Sequence, residues 1–175
     1  MIQNTYVPNE LLPKLGDEAL AIPFVGAIIE NESQEILVQT RNKKSDPKFS
    51  GTMEIPGGKI RAGESIYETL RREVLEESGV EITSVIDEND FKHNFSNGMS
   101  SDLFSPFCVT QSPEGPFIGL VFRCKATGEP AKETNETKNC QWIKLTELKN
   151  IINQTPEKIY TPFLGALKKL LEKNN

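Results

Sequence analysis

Histidine is nearly absent from this sequence: His93 stands alone. A catalytic triad would have to rest on that one imidazole, and no partner signature accompanies it; it reads as a surface or loop residue. Cysteine is scarce too. Cys108, Cys124 and Cys140 are odd in number and form no CxxC pair, which argues against a disulfide framework and a zinc site. Each falls in a segment of strand character, so three buried thiols are expected. No apolar run is long. The longest, residues 22–29, is far too short to span a membrane, and residues 1–10 lack the basic stretch and apolar core of a signal peptide. The expectation is a cytoplasmic protein with no membrane partner. Positive charge is in deficit, with 20 Lys and Arg against 25 Asp and Glu. A nucleic acid polymer is therefore a poor partner. A small phosphorylated substrate stays open if a metal or a local basic patch offsets the repulsion.

What is present is enough for an ordinary core. The chain's 175 residues fit a single domain over 1–175, with residues 1–20, which carry Pro8 and Pro13, as a leader. Residues 22–30 read as a buried strand and 35–41 as its hairpin partner across an Asn31-Glu32-Ser33 turn. A Lys- and Ser-rich loop (42–50) precedes a short strand (52–55) that Pro56-Gly57-Gly58 stops. Residues 59–64 form a loop and 66–78 a helix. Strands are expected over 80–86, 103–111, 117–126 and 140–143, and helices over 146–153 and 161–173. Residues 87–102 are polar and carry no clear assignment, and 127–139 read as a polar loop. Interspersed strands and helices with hairpin-like pairs give an α/β (α+β) class, with a mixed sheet flanked by helices.

The helix over 66–78 is specified at both ends. Ser65-Ile66-Tyr67-Glu68 fits a capping box, and Gly79 sits where a left-handed C-terminal cap belongs. Ile66, Leu70 and Val74 form a core-facing row. Glu73, Glu76 and Glu77 fall within about a 100° arc, and their like charges at i,i+4 disfavour the helix slightly. That arc overlaps the core side, so the carboxylates cannot all point into solvent. They call for a cation, and hard oxygen ligands favour Mg2+, Mn2+ or Ca2+ over zinc. A solvated acidic face relieved by Arg71 and Arg72 is the plain alternative.

The surrounding residues decide between the two. Gly58, Glu64, Arg72, Glu73, Val74, Glu76, Glu77, Gly79 and Val80 match every defined position of the Nudix box, Gly-x5-Glu-x7-Arg-Glu-U-x-Glu-Glu-x-Gly-U with U a bulky aliphatic residue. A chance match is on the order of one in ten million. Over residues 58–80 the chain thus resembles the Nudix (MutT-like) hydrolases. Glu54-Ile55-Pro56-Gly57-Gly58-Lys59 resembles the family's strand and Gly-Gly lead-in, and residues 142–148 its late strand and helix start.

The resemblance implies a Nudix fold, a mixed β-sheet sandwiched between α-helices, and Mg2+- or Mn2+-dependent cleavage of a diphosphate bond in a small nucleotide-like substrate. It implies Glu73, Glu76 and Glu77 as metal ligands with the Gly57 carbonyl, Arg72 as the residue that orients them, and Glu64 as a brace; Gly58 and Gly79 allow tight turns. Glu73 is the first choice of general base; Glu136 and Glu133, in the 127–139 loop, come second. Arg41 and Lys59 are candidate substrate contacts, with Lys43, Lys44 and Lys48 in the same basic loop as Arg41. Phe91, Phe95, Phe104, Phe107 and Phe117 are candidates for a stacking platform or for core. Neither a Pro nor a Tyr stands 15–18 residues after the box, so no substrate is named. A homodimer is the assembly the resemblance suggests. A catalytically silent nucleotide-binding or regulatory module, or an isomerase on the same fold, is the rival; the intact carboxylate set favours the hydrolase.

Overall fold

The computed structural model describes residues 12–44, 46–90, 92–112 and 115–173. Residues 1–11 of the leader, the candidate stacking residue Phe91, and Pro113-Glu114 lie outside the described residues. In chain order the elements are β1 (Lys14–Leu15), β2 (Glu18–Ala19), β3 (Ile22–Ile29), β4 (Glu35–Arg41), β5 (Met53–Glu54), β6 (Gly57–Lys59), α1 (Ile66–Ser78), β7 (Glu81–Val85), β8 (Lys92–Ser96), β9 (Met99–Leu103), β10 (Cys108–Gln111), β11 (Phe117–Thr127), β12 (Thr137–Lys144), α2 (Leu145–Gln154) and α3 (Thr161–Lys173). None of these helices is long and apolar enough to cross a membrane.

The larger sheet runs β10-β11-β3-β6, with β7 also on β11, and the smaller runs β12-β4-β5. The larger is mixed: β3 and β11 pair in parallel from Ile22–Phe117 to Ile29–Cys124, and its other pairings are antiparallel. Period-two alternation puts the two faces of each strand in different cores. Phe24 and Ile28 of β3 and Ile36 and Val38 of β4 pack with Leu148, Ile152, Phe163, Leu167 and Leu170 of α2 and α3. Val25, Ala27, Ile29 and Leu37 pack with Tyr67, Leu70 and Val74 of α1. The sheets are therefore covered by α1 on one side and by α2 and α3 on the other. Each fully buried Leu or Ile in these layers contributes about 1.5–3 kcal/mol relative to exposure.

Four expectations need correction. First, β3 and β4 are not a hairpin. They enter different sheets, and an isolated Glu30–Ile36 bridge is the pairing between their ends. Both edges of β3 are already taken by β11 and β6, so β4 pairs with β12 and β5 instead.

Second, the polar stretch 87–102 holds most of a hairpin. β8 and β9 pair around Asn97-Gly98, both at positive φ (54° and 75°), the geometry of a tight two-residue turn. Every residue in its two strands is exposed, so no buried face imprinted an alternation on the sequence. Leu103 closes β9 and is not the start of β10.

Third, β12 begins at Thr137, before the expected strand, and a bulge between Lys138 and Gln141 interrupts its pairing with β4 where Asn139 takes φ 52°. Fourth, only Cys124 is buried; Cys108 and Cys140, on the edge strands β10 and β12, are half-buried.

Candidate active site

The site is built where the β5–β6 turn meets α1. A Cβ on Gly57 would overlap the Val25 carbonyl oxygen, and one on Gly58 would overlap the Glu73 carboxyl. Two adjacent glycines thus let one loop lie against β3 on one side and against the helix carboxylates on the other. The Gly57 N–H donates to Glu77 Oε2 at 3.0 Å, and the Ala27 N–H to the Pro56 carbonyl at 2.9 Å. The helix starts at the expected capping box, with the Ser65 N–H donating to Glu68. It ends at Gly79, φ 76°, whose N–H reaches the Leu75 carbonyl.

Arg72 organises the outer half of the site. Nε and Nη2 fork onto the two oxygens of Glu64 at 2.7 and 2.9 Å, and Nη1 donates to Glu73 Oε1 at 2.6 Å and Glu76 Oε2 at 3.2 Å. Thr69 Oγ1 also donates to Glu64. The Arg72 hydrogen bonds, helped by Thr69, hold the Glu64 carboxyl down at about 2. Glu73 goes the other way: burial raises its pKa, and Arg72 only partly opposes this. Glu76 is half exposed, at 54%.

Glu77 anchors the inner half and is only 2% exposed. Its Oε2 accepts from Gln39 Nε2 at 2.7 Å as well as from Gly57. Its Oε1 lies 2.9 Å from Lys43 Nζ, which also contacts Glu136 Oε2 at 2.5 Å. Burial opposes the Lys43 charge, yet Glu77 and Glu136 outweigh it and raise the lysine's pKa. The Glu136 carboxyl is held below the usual range, first by its hydrogen bond to Lys43. Beside them Glu54, 3% exposed, is pushed up to about 7, chiefly by burial. One of its oxygens faces Arg41 at 3.1 Å and the other is buried without a hydrogen-bond partner.

The chain end of α1 is tied down as well. Thr137 Oγ1 donates to the Glu77 carbonyl at 2.6 Å, and the Ala131 N–H to the Ser78 carbonyl at 2.8 Å. These bonds satisfy helix-end carbonyls that would otherwise be orphaned.

Of the basic loop, Arg41 and Lys43 turn inward and Lys44 and Lys48 stay exposed. Arg41 grips Asp46 at 2.7 Å and Glu54, and lies over the Tyr160 ring at 4.3 Å. Lys59 is exposed on β6, and Glu133 is exposed in the loop before β12. His93 pairs with Asp102 across the β8–β9 hairpin. Phe104 stacks edge-on against Tyr67 and Phe117 against Phe24, so both are packing residues. Phe107 lies beneath Lys169 and Lys173, and Phe95 is 72% exposed.

Sequence reasoning did not assign Gln39 or Glu54 to the site. The signal for Gln39 was its phase: Leu37, Gln39 and Arg41 share the α1 side of β4, and a polar residue in a buried strand needs a partner.

Among the described residues no three His, Cys, Asp or Glu side chains converge into a closed cation site. The donor chemistry nonetheless suits a hard divalent cation. Glu73, Glu76 and Glu77 offer carboxylate oxygens from one helix face, and a positive group already stands against the buried Glu77.

A model of the NUDIX domain matches residues 22–163. An ADP-ribose pyrophosphatase of Methanocaldococcus jannaschii is 27% identical over 126 residues, covering 71% of this chain; the match spans only 62% of that protein's length. The nucleoside triphosphatase NudI of Escherichia coli K12 is 26% identical over 131 residues, 71% of this chain and 83% of NudI. The crystal structure of a MutT protein from Methanosarcina mazei Go1 superposes with a TM-score of 0.63 at 21% identity, covering 90% of this chain and 98% of that one. A NUDIX-family hydrolase from Clostridium perfringens gives 0.57 at 21% identity, covering 89% and 99%. At these identities the structural likeness speaks for the fold.

Proposed function

The chain belongs to the NUDIX family, and from that premise we propose that it is a diphosphohydrolase that cleaves the diphosphate bond of a nucleoside diphosphate linked to another moiety. The observation that carries the reading is the unbroken carboxylate set on α1, with Arg72 gripping Glu64, Glu73 and Glu76 at once and Glu77 fastened against Gly57. A silent module has no need of that arrangement.

Glu73, Glu76 and Glu77, with the Gly57 carbonyl, would hold Mg2+ or Mn2+. When bound, such an ion neutralises diphosphate oxygens and acidifies a water. Arg72 orients two of the carboxylates. Glu73 is the proposed proton acceptor, because burial raises its affinity for a proton; Glu136 is the second candidate. Lys59, exposed next to Gly58, is the proposed phosphate contact. Arg41 is committed to Asp46 and Glu54, so it reaches substrate only by exchanging one of them for phosphate. The two curated relatives carry the names ADP-ribose pyrophosphatase and nucleoside triphosphatase. Their common chemistry, a nucleotide with a phosphoanhydride, is the substrate class proposed here.

The test is phosphate release, coupled to a phosphatase, from nucleoside triphosphates, nucleotide sugars, ADP-ribose, dinucleoside polyphosphates and coenzyme A, with Mg2+ or Mn2+ and with chelator. Turnover of one class that chelator abolishes is the expected result. A blank across the panel, alongside demonstrated cation binding, would replace the hydrolase with a nucleotide-binding module.

A further inference from the structure

We propose that Lys43 is a tethered counter-ion of the buried Glu77 carboxylate, which a divalent cation must displace from Glu77 Oε1, so that this lysine sets the cation affinity of the site. The inference rests on the cation-site reading above and deepens it.

The two oxygens of Glu77 are differently engaged. Oε2 already accepts from Gln39 Nε2 and the Gly57 N–H, two donors that approach from different elements. Oε1 is left for a cation, and there the Lys43 ammonium stands at 2.9 Å. A dication and an ammonium on one carboxylate oxygen repel strongly where water is largely excluded.

The neighbouring charges show that Lys43 is the group that balances Glu77. Arg41 is engaged with Asp46 and Glu54, and Arg72 with Glu64, Glu73 and Glu76. Lys43 is the cation paired with Glu77, and its second partner is Glu136. Glu77 is 3% exposed in its side chain and Glu136 is 55% exposed, so one partner is fixed and the other faces water. A lysine has a flexible four-carbon stem and a compact charge. It can leave Glu77 while keeping Glu136, and its ammonium then lies at the mouth of the site, where an anionic phosphate would arrive.

This arrangement makes two effects of opposite sign. Neutralising Lys43 leaves Glu77 short of a counter-charge, which lowers stability without a divalent cation. The same change removes the competitor and tightens cation binding. A lysine that only braces the fold would lower stability and leave cation affinity unchanged or weaker.

The experiment is calorimetric titration of Mn2+ alone into the wild-type chain and into Lys43→Gln, with Tm measured with and without Mn2+. Lys43→Gln is expected to bind Mn2+ about tenfold tighter or more, to melt lower without it, and to gain more Tm on adding it. Equal or weaker binding by Lys43→Gln, with wild-type binding intact, overturns the inference and leaves the proposed function standing. Absence of Mn2+ binding by both proteins overturns both. Should Lys43→Gln fail to fold, the wild-type chain decides: the side-chain NMR signals of Lys43 are expected to move on titration with Mg2+, and signals that stay fixed while Mg2+ binds refute displacement.

Discussion

Alanine at Gly57 and at Gly58 should have different consequences, although the residues are adjacent and a Cβ is obstructed at both. At Gly58 the atoms in the way are the carboxyl end of Glu73, a flexible side chain that can rotate aside. Rotation breaks the 2.6 Å bond to Arg72, a charged hydrogen bond of about 1.5–3 kcal/mol that partial exposure reduces. Removing a glycine returns about 0.4–1 kcal/mol through the unfolded chain. The net loss is then on the order of 1 kcal/mol, or about 2–4 °C in Tm for a chain of this size. Turnover should fall much further, by roughly 10²–10⁴, the range for a displaced general base.

At Gly57 the obstacle is the Val25 carbonyl oxygen and the backbone of Gly26, which cannot rotate away. The β3–β6 pairing must open, at a cost of about 1–3 kcal/mol or more. Urea unfolding and steady-state turnover on both variants decide the matter. Gly58→Ala with wild-type activity would refute the placement of Glu73, and Gly58→Ala as unstable as Gly57→Ala would refute the claim that Glu73 yields.

Two further expectations follow from burial. Glu76→Gln should cut turnover by orders of magnitude with little change in Tm, because Glu76 is half exposed; Glu77→Gln should do the same to turnover and also lower Tm, since it strips Lys43 of its buried partner. Equal Tm for the two variants, measured without metal, would contradict the buried pairing. The raised pKa of Glu54, about 7 against 4.5, means the folded protein binds more protons than the unfolded chain between those values. Its contribution to stability is therefore fully present below about 4.5 and is lost as pH rises toward 7. Urea midpoints for wild type and Glu54→Gln across that window should diverge in favour of the variant as pH rises, and parallel curves would refute the buried, protonated carboxyl.

The helix was legible because its signals are local. Ser65 with Glu68 and Gly79 with Leu75 are neighbours in sequence, and the box residues sit on one helix and the loop before it. The rest was illegible for reasons of range and of solvent. Gln39 and Glu77 are far apart in sequence, and nothing in β4 names its partner. Lys43 and Arg41 read as a solvated basic loop because, apart from Asp46 nearby, the acids that face them, Glu77, Glu136 and Glu54, come from three other segments. The β3–β4 hairpin was misread because a turn signal at Asn31 reports that the chain reverses and says nothing about which edges of β3 are free. The β8–β9 hairpin announced its turn through Asn97-Gly98 but, exposed on both faces, carried no pattern in its strands.

The bond from Thr137 to the Glu77 carbonyl has a consequence for how the protein can diverge. Glu77 is held by its side chain from β4 and the β5–β6 turn and by its backbone from the start of β12. A change in length between Ala131 and Thr137 therefore pulls on a box residue without altering the box. That segment should resist insertion as firmly as the helix itself. The β8–β9 hairpin, whose strand residues are all exposed, is where lineages of this chain are free to lengthen, shorten and experiment.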